Sequence, residues 1–271
     1  MDLQDGFNPR EYWEKRLSPG LGLHRVGHLA YGKAFNRALY AIRRMIFQKI
    51  MRSFCFEGIH EKTILDIGSG TGFYLNLWKK LGPKNIYGLD FTDASVEFCA
   101  RRFPDVTMIH ADISNADHLA SIPDESIDCI SVFDVLFHIV DDTHYEKAIH
   151  NISRKLKPEG YLFYSDNFIH HGTIREKHIV HRSLHEISAI LENNDFMIIG
   201  RVPMFWLMGY PIDTKSPLIG KLWNLLMYPV RKSEIVGSIY AAILFFPERL
   251  LVSMCRESPT TEMMICKKKA R

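Results

Sequence analysis

Cysteine is scarce, and none of the five cysteines, Cys55, Cys99, Cys129, Cys255 and Cys266, stands in a Cys-x-x-Cys pair. An odd, scattered set argues against a disulfide framework and a thiolate zinc site, and suits reduced thiols. Charge of one sign is missing too. With 34 basic against 31 acidic residues and a net charge of +3, the chain lacks the broad field that holds a polynucleotide backbone, so no nucleic-acid partner is expected. Long hydrophobic runs are also absent. The most apolar stretch, from Ile235 to Phe246, is interrupted by Ser238 and Tyr240 and closed by Pro247, Glu248 and Arg249, short of the roughly 20 residues that span a bilayer. The opening Met1-Asp2-Leu3-Gln4-Asp5 lacks the basic-then-apolar pattern of a secretion signal, so the expected location is cytoplasmic.

What is present is an ordinary globular composition, 46% hydrophobic and 24% charged over 271 residues, enough for one core with additions. In residues 1–60, Phe35, Leu39, Ile42, Ile46, Phe47 and Ile50 recur at helical spacing with basic residues between them, behind a glycine-rich loop from Leu17 to Gly32. This predicts an N-terminal helical arm or lid. From Lys62 the pattern changes to short β-branched runs alternating with helical stretches. That predicts an α/β fold: a doubly wound, mostly parallel seven-stranded Rossmann-like sheet. Strands are expected at 63–67, 85–89, 106–110, 127–133, 161–165, 196–202 and 261–267. The core then comprises 61–203 and 258–271, with a helical cap inserted at 204–257.

The chemistry is concentrated in Ile64-Leu65-Asp66-Ile67-Gly68-Ser69-Gly70-Thr71-Gly72-Phe73, a strand that ends in an acid and turns through glycines into a helix. Gly68 and Gly70 permit close approach of a ligand to the backbone, and Gly72 lets the helix pack tightly. Acids follow the next three strands. Asp90 lies about 20 residues past the glycines, the spacing at which a carboxylate meets ribose hydroxyls. Asp112 and Asp134 follow the third and fourth strands. A nicotinamide dehydrogenase shares part of this pattern, but its Gly-x-Gly-x-x-Gly turn places glycine where Phe73 stands.

From about Lys62 to Lys268 the sequence resembles the class I S-adenosylmethionine-dependent methyltransferases, small-molecule type. The resemblance implies that Asp66, Gly68, Ser69, Gly70 and Gly72 wrap the methionine part of S-adenosyl-L-methionine, and that Asp90 holds its ribose. It further implies that Asp112 and Ile113 face the adenine, with Phe91 an apolar wall, and that the segment from Phe133 to Ile139 faces the methionine amino group. The turn Leu156-Lys157-Pro158-Glu159-Gly160-Tyr161-Leu162 also fits that family. An arm in such enzymes covers the cofactor. Tyr31 is the arm residue expected at the cofactor, with Tyr12, Trp13, Arg25 and His28 as further candidates for closing the site.

The expected activity is methyl transfer to a small, lipophilic or aromatic natural-product-like acceptor, by in-line displacement at the sulfonium methyl. The alternative is a cofactor-binding protein without catalysis, whose cap serves a partner protein. His138, just past the fourth strand, is the candidate general base; Asp166, His170 and His171 are others at the same edge. His170, His171, His178, His181 and His185 invite a metal reading, with His181 and His185 on one helix face, but no zinc pattern accompanies them and no metal is expected. In the cap, aromatic residues such as Phe205, Trp206, Tyr210, Trp223 and Phe245 are expected to supply some of an acceptor pocket. Lys215, Lys221, Arg231 and Lys232 among them would also suit peripheral contact with a membrane, and a homo-oligomer is the competing use of the same surface.

Overall fold

The computed structural model of the chain describes residues 8–54 and 58–270; Cys55 and the opening segment 1–5 lie outside the described residues. The arm comprises α1 (Pro9–Leu17), a short α2 (Leu23–Val26) and α3 (Gly32–Ser53). The core runs β1 (Thr63–Ile67), α4 (Phe73–Leu81), β2 (Asn85–Asp90), α5 (Asp93–Arg102), β3 (Thr107–His110), β4 (Ile127–Phe133), α6 (Asp142–Lys155) and β5 (Leu156–Asp166). A hairpin of β6 (Ile174–Arg175) and β7 (Val180–His181) precedes α7 (Leu184–Asn193) and β8 (Phe196–Pro203). The cap helices α8 (Pro217–Met227) and α9 (Glu234–Met254) lead to β9 (Glu262–Lys268).

Seven strands form one sheet in the order β3-β2-β1-β4-β5-β9-β8. The neighbours from β3 to β5 are parallel, and β9 runs antiparallel between β5 and β8. The order reverses between β1 and β4, so the loops leaving those strands diverge and open a crevice at their carboxyl ends. β1 is buried along almost its whole length because helices cover both faces, which its apolar run Ile64-Leu65 and Ile67 requires. β5 begins earlier than its sequence suggests: Leu156 pairs with Ile127, then the register shifts, and Tyr161 pairs with Cys129.

The sheet separates two apolar layers. On one side α3 and α4 meet the strands, with Phe47 edge-on to Trp78 at 5.0 Å, and the cap helix α9 packs on the outside of α3. On the other side α6 and α7 bury Tyr145, Ile149 and Leu191. Two sequence expectations change. Arg43 is not among the solvated basic residues of α3 but on its buried face. The apolar stretch does not stop at Phe246, because α9 continues through Pro247 for 21 residues. Proline supplies no N–H, yet the helix beyond it is pinned: Glu248 accepts the backbone N–H groups of Trp206, Leu207 and Met208. By length and composition alone, α9 is the one described helix that would suffice to cross a membrane.

Candidate active site

A cavity of about 450 Å³ opens at the reversal point, within the range of cofactor sites. One wall is the sheet edge. Gly68 turns with a φ of 73°, and a β-carbon there would lie 2.1 Å from Val135, so only glycine fits. The N–H groups of Gly68 and Ser69 both bond to the carbonyl of Leu89, which ties the turn to the end of β2. Asp90 is buried, and its carboxylate accepts the N–H of Gly70 at 2.9 Å on one oxygen and the N–H and hydroxyl of Thr92 on the other. Burial raises its pKa, against those hydrogen bonds. A carboxylate offers about four acceptor positions, so Asp90 retains capacity for a ligand hydroxyl. Phe91, Asp112 and Ile113 line the same cavity. One oxygen of Asp112 takes the N–H and hydroxyl of Ser114, and the other has no protein donor among the described residues.

The opposite wall is the arm. Trp13, Leu17 and Val26 line it, and Val26 stands where a β-carbon on Gly70 would meet it at 3.1 Å. The carboxylate of Glu14 accepts the N–H groups of Asp93 and Ala94 at 3.0 and 3.1 Å, capping α5 from outside that helix. Arg16 holds the rest of the arm together, donating to the carbonyls of Arg25 and Gly27 and lying 4.7 Å from the Trp13 ring.

At the base, Phe133 stacks on Tyr74 at 4.0 Å, and both line the cavity with Tyr40 and Asp134. Asp134 has a φ of 60°, an unusual backbone for a residue with a β-carbon. It is held by Ser165, whose hydroxyl donates to one carboxylate oxygen, and by Arg43 at 2.7 Å from the other. Arg43 is buried under Phe205 of the cap, 4.8 Å from its ring.

His138 lines the cavity with its ring edge-on to Trp13 at 4.9 Å. Its Nδ1 lies 3.1 Å from the carbonyl of His178. A carbonyl only accepts, so Nδ1 carries the proton and Nε2 is left as the acceptor. Burial lowers the imidazole to about 4, so it is neutral near pH 7.

Several expected residues lie elsewhere. Asp66 is behind the glycine turn, accepting the Ser131 hydroxyl at 2.6 Å, and is not part of the cavity wall. Gly72 does not line it either; its tight fit is against Phe103. Tyr31 packs on Phe35 and Trp223, away from the cavity, because it sits just before α3 against the cap, whereas the arm reaches the sheet edge through α1, α2 and Tyr40 of α3. Tyr12, Arg25 and His28 are not in the wall, and of the arm candidates only Trp13 is. Asp166 is buried outside the cavity, and burial raises it to about 7. His170 and His171 engage Asp213 at the base of the cap. His181 is in β7 and His185 in α7, so they share no helix face. No cap aromatic lines the cavity. Missing from the sequence reading are Glu14, Leu17, Val26, Tyr40, Arg43 and Tyr74; an arginine at a core position of an amphipathic helix was the available signal for Arg43.

A glycine turn, a ribose-type acid and a second acid on one cavity at the reversal of a parallel sheet define a Rossmann-like domain for an adenosine-bearing cofactor. Residues 65–164 match the family described as "Methyltransferase domain". Among curated relatives, a ubiquinone biosynthesis O-methyltransferase of Hydrogenovibrio crunogenus is 28% identical over 41% of this chain and 44% of its own length. A tRNA N(3)-methylcytidine methyltransferase of Schizosaccharomyces pombe is 26% identical over 59% and 50%. The chain thus spans about half the length of the curated relatives it matches, or less. Among solved structures, a phosphoethanolamine N-methyltransferase of Haemonchus contortus, in complex with S-adenosylhomocysteine, superposes with a TM-score of 0.58 over 98% of this chain and 61% of its own, at 16% identity. Residues 65–164 thus resemble a methyltransferase domain, and the sheet around them has the fold of solved S-adenosylmethionine-dependent methyltransferases.

Proposed function

We propose that the chain transfers the methyl group of S-adenosylmethionine to the hydroxyl of a small, lipophilic, aromatic acceptor. The observation that carries this reading is that the neutral imidazole of His138 shares one cavity with Asp90, Asp112 and the glycine turn. When bound, the cofactor supplies a methyl already activated as a sulfonium, so no protein nucleophile is needed. Asp90 and Asp112 hold its adenosine half. Trp13, Leu17 and Val26 exclude water. The acceptor's hydroxyl gives its proton to Nε2 of His138 as its oxygen becomes the nucleophile.

A base lowered to about 4 is weak, which suits a phenol or enol better than an aliphatic alcohol. The ubiquinone-biosynthesis relative, though only partly covered, is consistent with that preference. The nearly balanced charge and the arm across the cavity favour a small molecule over a polynucleotide.

The test is calorimetry with S-adenosylhomocysteine and NAD, followed by a labelled-methyl assay over phenols and quinone precursors. We expect the homocysteine product to bind and NAD not to. His138→Phe should lower kcat by about 100-fold or more, the scale of general base catalysis, with product affinity unchanged. Failure to bind S-adenosylhomocysteine would sink the whole reading. Undiminished kcat in the variant would remove His138 as the base.

A further inference from the structure

The cap leaves two helix faces uncovered. Along α9 the outward stripe is Ile235, Ile239, Ile243, Phe246, Leu250 and Met254, each half or more exposed. On α8, Leu218, Ile219, Leu222, Leu225 and Leu226 are equally bare. Single exposed leucines are ordinary, but continuous stripes on adjoining helices are not. Both helices stand on Tyr31: Trp223 of α8 meets its ring, and Gly237 of α9 lies against its carbonyl.

The polar groups of this region are arranged for a particular environment. From residue 214 to 256 the only acids are Glu234, which is exposed, and Glu248, which is buried, and both are engaged by backbone N–H groups of neighbouring segments. Glu234 accepts the N–H groups of Lys33 and Ala34 at the start of α3, and Glu248 accepts those of Trp206, Leu207 and Met208. Ser238 and Ser253, on the exposed side of α9, donate their hydroxyls to the carbonyls of Glu234 and Arg249 one turn back, as a hydroxyl facing hydrocarbon must. The cations Lys215, Lys221, Arg231, Lys232, Arg249 and Arg256 form no ion pair among the described residues. Instead the Lys232 ammonium lies 5.5 Å from the centre of the Tyr228 ring and the Arg249 guanidinium 5.9 Å from that of Phe245, so these cations sit on the aromatic edge of the apolar surface.

We infer that the α8–α9 face docks the protein on an anionic phospholipid bilayer, with both helices in the plane of the interface. A bilayer accepts an apolar stripe with a cationic rim and asks for no polar partner. A second copy fits less well, because a two-fold interface would set the unpaired cations against themselves. Crossing the membrane is also disfavoured, since it would strip α9 from α3 and carry Glu248 away from three backbone donors into hydrocarbon. The docking reading stands independently of methyl transfer.

Flotation of the full chain with unilamellar vesicles tests it, comparing phosphatidylcholine alone with phosphatidylcholine containing about a third phosphatidylglycerol. We expect binding to the anionic vesicles, at least about tenfold weaker to the neutral ones. The double variant Ile243→Asp, Phe246→Asp alters side chains that are 65% and 72% exposed, so it should fold normally and lose binding by at least about tenfold. Lys221→Gln with Lys232→Gln should weaken only the anionic binding, by about fivefold or more. Unchanged S-adenosylhomocysteine affinity in these variants reports an intact fold. Absence of wild-type flotation, binding insensitive to the aspartates, or equal binding to both vesicles would overturn the inference. So would a dimer in sedimentation velocity that the aspartates dissolve while vesicles capture nothing.

Discussion

The two walls of the cavity are held by different kinds of force. The sheet-edge wall belongs to the backbone: its strands are paired on both sides, its turn is bonded to β2 through Leu89, and Asp90 is locked by Gly70 and Thr92. The arm wall has no ladder to the sheet. It rests on apolar contact, on the Glu14 cap of α5, and on Arg10 near Asp93 at 3.4 Å, an exposed pair of little energetic weight. A rigid wall beside a lightly latched one is what a site needs if it must admit its ligand and then exclude water.

The sharpest way to break the rigid wall is Asp90→Ala. It removes the acceptor expected for the ribose hydroxyls and leaves the N–H groups of Gly70 and Thr92 without their partner. Hydrogen bonds to a charged group contribute about 1.5–3 kcal/mol each, so S-adenosylhomocysteine affinity should fall by about 100-fold or more while the circular dichroism spectrum is kept. Unchanged affinity would mean that Asp90 serves the turn alone.

The arm wall should respond less. In Glu14→Gln one carboxylate oxygen becomes an amide nitrogen, so one bond to the α5 amides is lost along with the favourable charge at that helix terminus. A loss of about 1 kcal/mol should weaken S-adenosylhomocysteine about fivefold, mainly through faster release in stopped-flow measurements. If release is unchanged, the arm is held by its apolar contacts and Glu14 contributes nothing to its latch.

The same contrast explains what the sequence discloses. Gly68, Gly70, Asp90 and Asp112 occur at strand ends, where topology alone brings them together, so spacing along the chain locates them. Trp13, Val26 and Glu14 reach the cavity only through the path of the arm, which no periodicity specifies. Asp66 fits the motif and yet sits behind the turn, because alternate residues of a strand point to opposite faces and it meets Ser131. Arg43 falls at a core position of α3 that its spacing from Leu39 and Phe47 marks, but only tertiary packing places Asp134 opposite it. Similarly, the acids of the cap look like breaks in an apolar run, and only the fold reveals that both are spent on backbone amides.

The smallest expected effect concerns the charge buried beneath the rigid wall. Burial lifts the Asp66 carboxyl to about 7, whereas the unfolded chain releases that proton near pH 4. Between those values the folded state holds a proton that the unfolded state has lost, so the contribution of Asp66 is complete below about pH 4 and disappears as pH rises through about 7. His138 has the opposite slope. Its folded value is about 4 against about 6.5 unfolded, so its contribution is complete above the higher value and diminishes as pH falls toward the lower. Asp66→Asn removes the first slope and leaves the second. The amide oxygen can still accept from Ser131, while its NH₂ replaces an oxygen that has no partner, a cost that does not vary with pH. Melting curves of the unliganded protein should therefore show the variant gaining on wild type by about 2–4 °C between pH 5 and pH 8, the shift that about 1 kcal/mol produces in a chain of this size. A constant separation across that range would mean that the charge of Asp66 does not change there, and that the rigid wall carries its buried carboxylate at no pH-dependent cost.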